Sequence, residues 1–271
     1  MMKMGSYLAA LALALAANGA AAQGGKVEVM WLGQSAFRIT TPGGKVIVTD
    51  PWLIKDPKTP AKYKDLAALG KVDVLLVTHG HWDHIADAPA LAKLNNIKLW
   101  GPGDLNMALT TLGVLPPEQL PRFNKSGRIV PAPGIKVTAV HAEHSSVFVW
   151  HNPATNKDET HPGGEPVGYI IELENGFKIW HMGDTGVFGD MKFIAEYYKP
   201  DLILIPIGGH FTMDPVDAAY ATRELIKPRF AIPIHYGAGP LNKGTPQEYV
   251  KALGDAPVKV FALNPGEKAE F

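Results

Sequence analysis

In this 271-residue sequence the ten histidines are the side chains whose spacing points to chemistry, because there is no cysteine. That absence excludes disulfides, thiolate nucleophiles, iron–sulfur clusters and every Cys-containing zinc site. The densest group is Thr78-His79-Gly80-His81-Trp82-Asp83-His84, with four metal-competent side chains within six residues. At that spacing they cannot share one helix face. A loop leaving a strand can instead turn His79 and His81 to one cation, and Asp83 and His84 to a second. Neutral imidazole with carboxylate suits zinc, and manganese or iron as well. The plainer alternative is a polar surface turn.

One loop has too few donors for two cations, so others must come from elsewhere. His144 lies in Ala142-Glu143-His144-Ser145-Ser146, Asp184 in Gly183-Asp184-Thr185, and His235 in Pro233-Ile234-His235-Tyr236. Each follows a predicted strand, where a sheet edge can present it to a common centre. Singly, a capping aspartate or a hydrogen-bonded histidine is the commoner reading; together with the 79–84 loop they complete a two-metal site. His144 is preferred to His141 because Ser145-Ser146 follows it. His181, just before the Gly183-Asp184 turn, reads as buried support, and His151 and His161 as solvated. Asp50 ends a strand before Pro51; it either orients a ligating imidazole, as residues behind metal ligands do, or shapes the turn. His210 follows Gly208-Gly209, whose freedom lets the next side chain point into a pocket. There it could give a proton or hydrogen bond to a leaving group or oxyanion; a structural role is the alternative.

The elements that position these residues follow from apolar periodicity. Strands are predicted at 27–32, 36–40, 45–49 and 72–77, then at 135–140, 147–150, 167–173, 177–181, 202–206, 230–234 and 258–261. Helices are predicted at 88–94, 104–112, 191–198, 215–225 and 246–253, with Asp214 a candidate cap. Glu174-Asn175-Gly176 reads as a hairpin turn with Asn-Gly in positive φ. The polar, turn-rich stretch 151–166 reads as a loop reaching over one edge. Strands precede helices in each half, and the halves meet near Pro131–Pro133. Two mixed sheets packed face to face with helices outside, a four-layer αββα sandwich, satisfy this order. Residues 1–22 have Lys3, a short apolar run and Ala20-Ala21-Ala22, the layout of a secretory signal peptide. Domain 23–271 is then an exported, periplasmic or secreted protein with no membrane anchor after signal cleavage. Lys plus Arg and Asp plus Glu both number 26, which argues against charge-driven nucleic-acid binding.

The ordered motifs THGHWDHIAD, AEHSS, HMGDTGVFGDM, IPIGGHFTMDPVDAA and IPIHY resemble the metallo-β-lactamase superfamily, and within it a branch of small metal-dependent hydrolases. The resemblance runs from about Val27 to the C-terminus and implies the αββα fold. It also implies one metal on His79, His81 and His144, a second on Asp83, His84 and His235, and Asp184 bridging both. Trp82, where a small residue is usual, the long 151–161 segment and the signal peptide depart from that pattern.

Two such cations about 3.5–4 Å apart hold a hydroxide near neutral pH, which makes hydrolysis of a small ester, lactone or phosphodiester the expected reaction. No protein nucleophile is then needed. A β-lactamase-type amide hydrolase is an alternative, as is a non-catalytic metal-binding protein of the cell envelope. Gly208-Gly209 and Gly237-Ala238-Gly239 beside the predicted donors favour an open mouth over saturated metals. The expected partner is a small-molecule substrate; a homo-oligomer is compatible with the sequence.

Overall fold

A computed structural model describes residues 25–271; the signal-peptide reading of 1–22 lies outside the described residues. The first half supplies β1 (Glu28–Gly33), β2 (Ala36–Thr40), β3 (Val46–Thr49), β4 (Val74–Leu76), β5 (Leu99–Pro102) and β6 (Arg122–Phe123). Between them lie α1 (Trp82–Ile85), α2 (Ala88–Asn95) and α3 (Gly103–Thr111). The second half supplies β7 (Arg128–Ala132), β8 (Ile135–His141), β9 (Val147–Asn152), β10 (Lys157–Pro162), β11 (Val167–Glu172) and β12 (Lys178–His181). It continues with α4 (Met191–Tyr198), β13 (Leu202–Pro206), α5 (Pro215–Tyr220), β14 (Phe230–Ile234), α6 (Pro246–Leu253), β15 (Lys259–Val260) and β16 (Lys268–Glu270).

Two seven-stranded sheets result, ordered β16-β1-β2-β3-β4-β5-β6 and β15-β14-β13-β12-β11-β8-β7. The pairings from β3 to β6 and from β12 to β15 are parallel and the others antiparallel, so both sheets are mixed. Alternation along each strand feeds two different cores. Val74 and Leu76 of β4, with Leu202 and Leu204 of β13, fill the space between the sheets. Leu75 turns the other way, onto Leu91 of α2 and Leu105 and Leu109 of α3. Ile203 and Ile205 likewise meet Ile194 of α4, Ala218 of α5 and Tyr249 of α6. Helix, sheet, sheet, helix is the four-layer sandwich expected.

Four expectations are corrected. The polar stretch after His151 is not a loop: β10 pairs in register with β9, Lys157 opposite Asn152 through Pro162 opposite Val147. Lys-Asp-Glu-Thr carries no strand signal of its own, and its partner strand imposes the conformation. The crossing between halves lies between β6 and β7, before Pro131, because β7 already belongs to the second sheet. The 215–225 helix stops as regular α-helix at Tyr220 and continues as a wider π turn over Ala221–Ile226. There the Thr222 hydroxyl bonds the Ala218 carbonyl and pairs with the Tyr249 hydroxyl of α6. In the 174–176 hairpin turn only Gly176 takes positive φ; Asn175 instead accepts from the Phe177 N–H. Asp214 caps α5 as expected, accepting from the Val216 and Asp217 N–H groups. No helix among the described residues is long and apolar enough to cross a membrane.

Candidate metal centre

The seven sequence-selected donors come together at one edge of the sandwich, on the segments that follow β4, β8, β12 and β14. His79 leaves β4 on a loop, His81 immediately precedes the single-turn helix α1 without a side-chain bond to it, and Asp83 and His84 lie within that turn. The expected all-loop segment is therefore half loop, half helical turn. Three groups of donors form: His79, His81 and His144; His79, His84 and Asp184; and Asp83, His84 and His235. Within each group one ligand atom per residue lies within 4.8 Å of the others. Asp184 stands between the imidazoles. Its Oδ1 is 3.2 Å from His84 Nε2, and its Oδ2 is 3.0 Å from His235 Nε2 and 3.6 Å from His144 Nε2.

Local sequence explains how each donor is held. Asp50 accepts from both the N–H and the hydroxyl of Thr78, at 2.7 Å each, and from His84 Nδ1 at 2.8 Å. This fixes the His84 tautomer and aims Nε2 at Asp184. Gly183 has φ +64°, and a Cβ there would stand 2.9 Å from the Val167 carbonyl oxygen, so the turn presenting Asp184 requires glycine. His181 accepts from the Gly183 N–H through Nδ1 and donates from Nε2 to the Ser35 carbonyl. Both nitrogens are used, so it supports the Asp184 turn from behind. Ser146 accepts from the Gly80 N–H and donates to the Gly163 carbonyl, tying the His79–His81 loop to the base of the β9–β10 ribbon.

The electrostatics divide the cluster in two. Burial, followed by the His84 charge, holds His79 well below the usual imidazole range; burial, followed by His144, lowers His81; burial also lowers His144. Those three are neutral donors. Burial opposes charge on His84 and His235 too, but carboxylates prevail: Asp184, Asp50 and Asp83 raise His84 well above its ordinary value, and Asp184 pushes His235 up to about 9. Asp184, despite burial, is held well below the carboxylate range by His235 and His84. Without cations, protons carry the positive charge that this acidic side of the site demands. The buried His84 Nε2 and Asp184 Oδ1 face each other at 3.2 Å without a well-aligned hydrogen bond. A polar pair of this kind is costly unless something else satisfies it, and a donor set of imidazole and carboxylate fits divalent transition metals.

Gln34 was not foreseen. It occupies the β1–β2 turn, 2% exposed, with its Nε2 2.9 Å from Asp83 Oδ2 and 2.8 Å from His235 Nε2. Its carbonyl also accepts from the His235 N–H and the Trp31 indole. Gln34, Asp50 and His235 all have positive φ, near 41°, 43° and 55°, uncommon for residues with a side chain. The expectation for His210 is corrected. It is exposed, and its φ of 61° turns the ring outward onto Phe211, into a groove with Gly208 and Asp214. Phe211, not His210, faces the cavity over the donors. His141 pairs with Glu143 near the surface and lies outside the three donor groups. His151 pairs with Asp158 on the ribbon, and His161 lies against Trp150.

Above the donors opens a cavity of about 480 Å³ that His81, Asp83, His144, Asp184 and His235 all reach. A mixed αββα sandwich with a cluster of five imidazoles and two carboxylates at the mouth of its strands is the make-up of a metal-dependent hydrolase of the metallo-β-lactamase superfamily. The family described as "Beta-lactamase superfamily domain" matches residues 45–236. Within it, the chain belongs to the UPF0173 metal-dependent hydrolases. It is 73% identical over 247 residues to a protein of that name from a Polaromonas species, covering 91% of this chain and 90% of the relative. A Polynucleobacter asymbioticus protein of the same name is 60% identical over 274 residues, covering 98% and 96%. Among solved structures, Igni18, a metallo hydrolase from Ignicoccus hospitalis, superposes with a TM-score of 0.78 at 32% identity, covering 91% of this chain and 98% of that one.

Proposed function

We propose that the protein hydrolyses a small ester, lactone or phosphodiester with two divalent cations, zinc first and manganese or iron as alternatives. His79, His81 and His144 would hold one, and Asp83, His84 and His235 the other, with Asp184 shared. The observation that carries this reading is the interlocking of the three donor groups through His79 and His84, with His81, Asp83, His144, Asp184 and His235 lining an open cavity. When bound, such cations supply Lewis acidity toward a carbonyl or phosphoryl oxygen and lower the pKa of water from about 15.7 to about 7. The chain's own residues arrange the rest. Asp50 keeps the Nε2 lone pair of His84 free for the site. Asp184 offers one oxygen to His84 and the other to His235 and His144, a placement suited to bridging. Ser145 is the one hydroxyl lining the cavity among the described residues, and no imidazole is hydrogen-bonded to it, so water rather than a side chain is the nucleophile. Residues 1–22 would direct export, which places this activity in the periplasm or outside the cell.

Reconstituted protein is expected to bind two metal ions per chain by elemental analysis. It should turn over a panel of esters, lactones and an aryl phosphodiester, lose that activity to a chelator and regain it with metal. Asp184→Asn should reduce occupancy at both positions and lower kcat/KM by about 100-fold or more. Full metal content without turnover of any panel member would refute the hydrolytic reading. One ion per chain would refute the dinuclear one.

A further inference from the structure

The hydrolytic reading leaves the non-reacting part of the substrate open, and the wall of the cavity narrows it. Beyond the donor atoms, the cavity is bounded by Trp52, Trp82, Phe211, Pro240 and Leu241. Trp82, Phe211 and Leu241 are 59%, 52% and 46% exposed, large apolar side chains left open to water around one opening. Exposed apolar surface gathered at a concave site marks a place where a ligand buries its own apolar surface. Trp82 is inserted between His81 and Asp83, so its indole begins where the donors end. It is braced edge-to-face on the buried Trp52, with ring centroids 4.7 Å apart at 87°. Phe211 reaches the cavity from the loop after β13, and Leu241 from the loop after β14.

The polar part of the wall is as informative. The uncharged polar groups are Gln34, Ser145 and Asn242, and neither Lys nor Arg lines the cavity among the described residues. The ionisable groups there are the donors themselves, His81, Asp83, His144, Asp184 and His235. A substrate with a carboxylate or phosphate away from the reacting centre would find no cation to pair with, and such groups are ordinarily recognised by Arg or Lys. Taking that anion from water against an apolar wall without a partner is unfavourable.

From this we infer that the part of the substrate away from the reacting bond is an uncharged, apolar alkyl or aryl arm, seated on the Trp82–Phe211–Leu241 wall, a carboxylic ester or lactone with such an arm being the form tested. This rests on the hydrolytic reading for the bond broken, but the seat itself is a binding surface that can be measured without turnover. With such a substrate water adds to the carbonyl, the C–O bond to the alcohol oxygen breaks, and the products are a carboxylic acid and an alcohol, both on one hydroxy acid when the substrate is a lactone. Atoms and charges balance with no further reactant.

Two measurements on the metal-loaded protein test this. In the first, p-nitrophenyl esters from acetate to octanoate are compared with esters of matched length ending in a carboxylate. We expect kcat/KM to rise about fourfold per methylene over the first several carbons, the order of gain that burial of a CH₂ gives, and the carboxylate-ended esters to be at least tenfold poorer. Trp82→Ala and Phe211→Ala should each flatten the gradient with metal content retained. In the second, binding of alkyl hydroxamates of increasing length is followed by calorimetry, with a carboxylate-ended hydroxamate for comparison. A Kd that falls with length supports the seat even if no ester is turned over, in which case the hydrolytic reading alone fails. A flat length series in both measurements, or a preference for the carboxylate-ended compounds, overturns the inference while leaving hydrolysis standing.

Discussion

Gln34 is the residue whose placement changes most between sequence and structure. Nothing in its type or spacing marks it, since glutamine is no usual metal ligand and its contact with His235 spans 201 positions. The one available signal was its turn, Gly33-Gln34-Ser35, between two short strands. The imidazole and carboxylate donors were legible because chemistry confines them. His, Asp and Glu at the ends of apolar runs stand out, and four of the donors lie within six residues. His210 looked equally well placed beside two glycines, but side-chain direction depends on backbone φ, which spacing does not report. In the structure the Gln34 carboxamide donates to Asp83 and the Gln34 backbone carbonyl accepts from the His235 N–H, so this one residue touches both. Gln34→Leu, similar in volume, is expected to lower metal affinity at the Asp83–His84–His235 position by about 10–100-fold, the cost of removing an orienting partner. The His79–His81–His144 position should be much less affected. A chelator competition titration resolves the two steps; equal weakening of both, or of neither, would show that Gln34 does not orient this half.

At the scale of elements, the site depends on loops tied to one another rather than on the strands alone. Ser146 is the clearest knot, one hydroxyl serving both the His79–His81 loop and the base of the β9–β10 ribbon. A Cβ on Gly80 would stand 2.9 Å from Gly163, so the two backbones touch and the hydroxyl locks the contact. Ser146→Ala strands the Gly80 N–H and the Gly163 carbonyl in a part-buried place. The expected loss is about 1–3 kcal/mol of stability in denaturant unfolding, with weaker binding at the His79–His81–His144 position. Unchanged stability and metal affinity would mean the ribbon base is not part of the site's support. The buried strands were readable from runs such as Val-Asp-Val-Leu-Leu-Val, covered on both faces. The ribbon was not, because β10 is polar and only its pairing makes it a strand. For the same reason β16, a three-residue edge of Lys-Ala-Glu, escaped notice: its conformation is supplied by β1.

Across the whole molecule, the centre sits on the seam between the two halves. Sheet one contributes the donors after β4, and sheet two those after β8, β12 and β14. The layered architecture was legible from the order of strands and helices. The seam itself was not, since it arises only when two sheets from distant parts of the sequence face each other. Cations held across it would staple the halves together, binding the native state and not the unfolded chain. With free metal at about 100 times Kd, each site adds about 2.7 kcal/mol. For a domain of this size that corresponds to roughly 5–10 °C in Tm per site. Calorimetry of chelated and metal-resupplied protein should show a reversible difference of this order. Coincident transitions would show that the metals do not bind the native state in preference to the unfolded chain.

The pairing of β16 with β1 makes the polypeptide close to a ring. Val27 and Phe271 exchange both backbone hydrogen bonds, each N–H to the other's carbonyl at 3.0 and 2.9 Å, across nearly the full length of the described chain. Their covalent order is thus almost incidental to the finished sandwich. A short linker from residue 271 to residue 27 would bridge positions already in contact. New ends opened in the exposed Thr155-Asn156 turn of the ribbon would interrupt neither sheet. Such a circular permutant would carry its first and last residues at the tip of the β9–β10 ribbon, leaving every candidate metal donor in place on a chain threaded in a different order.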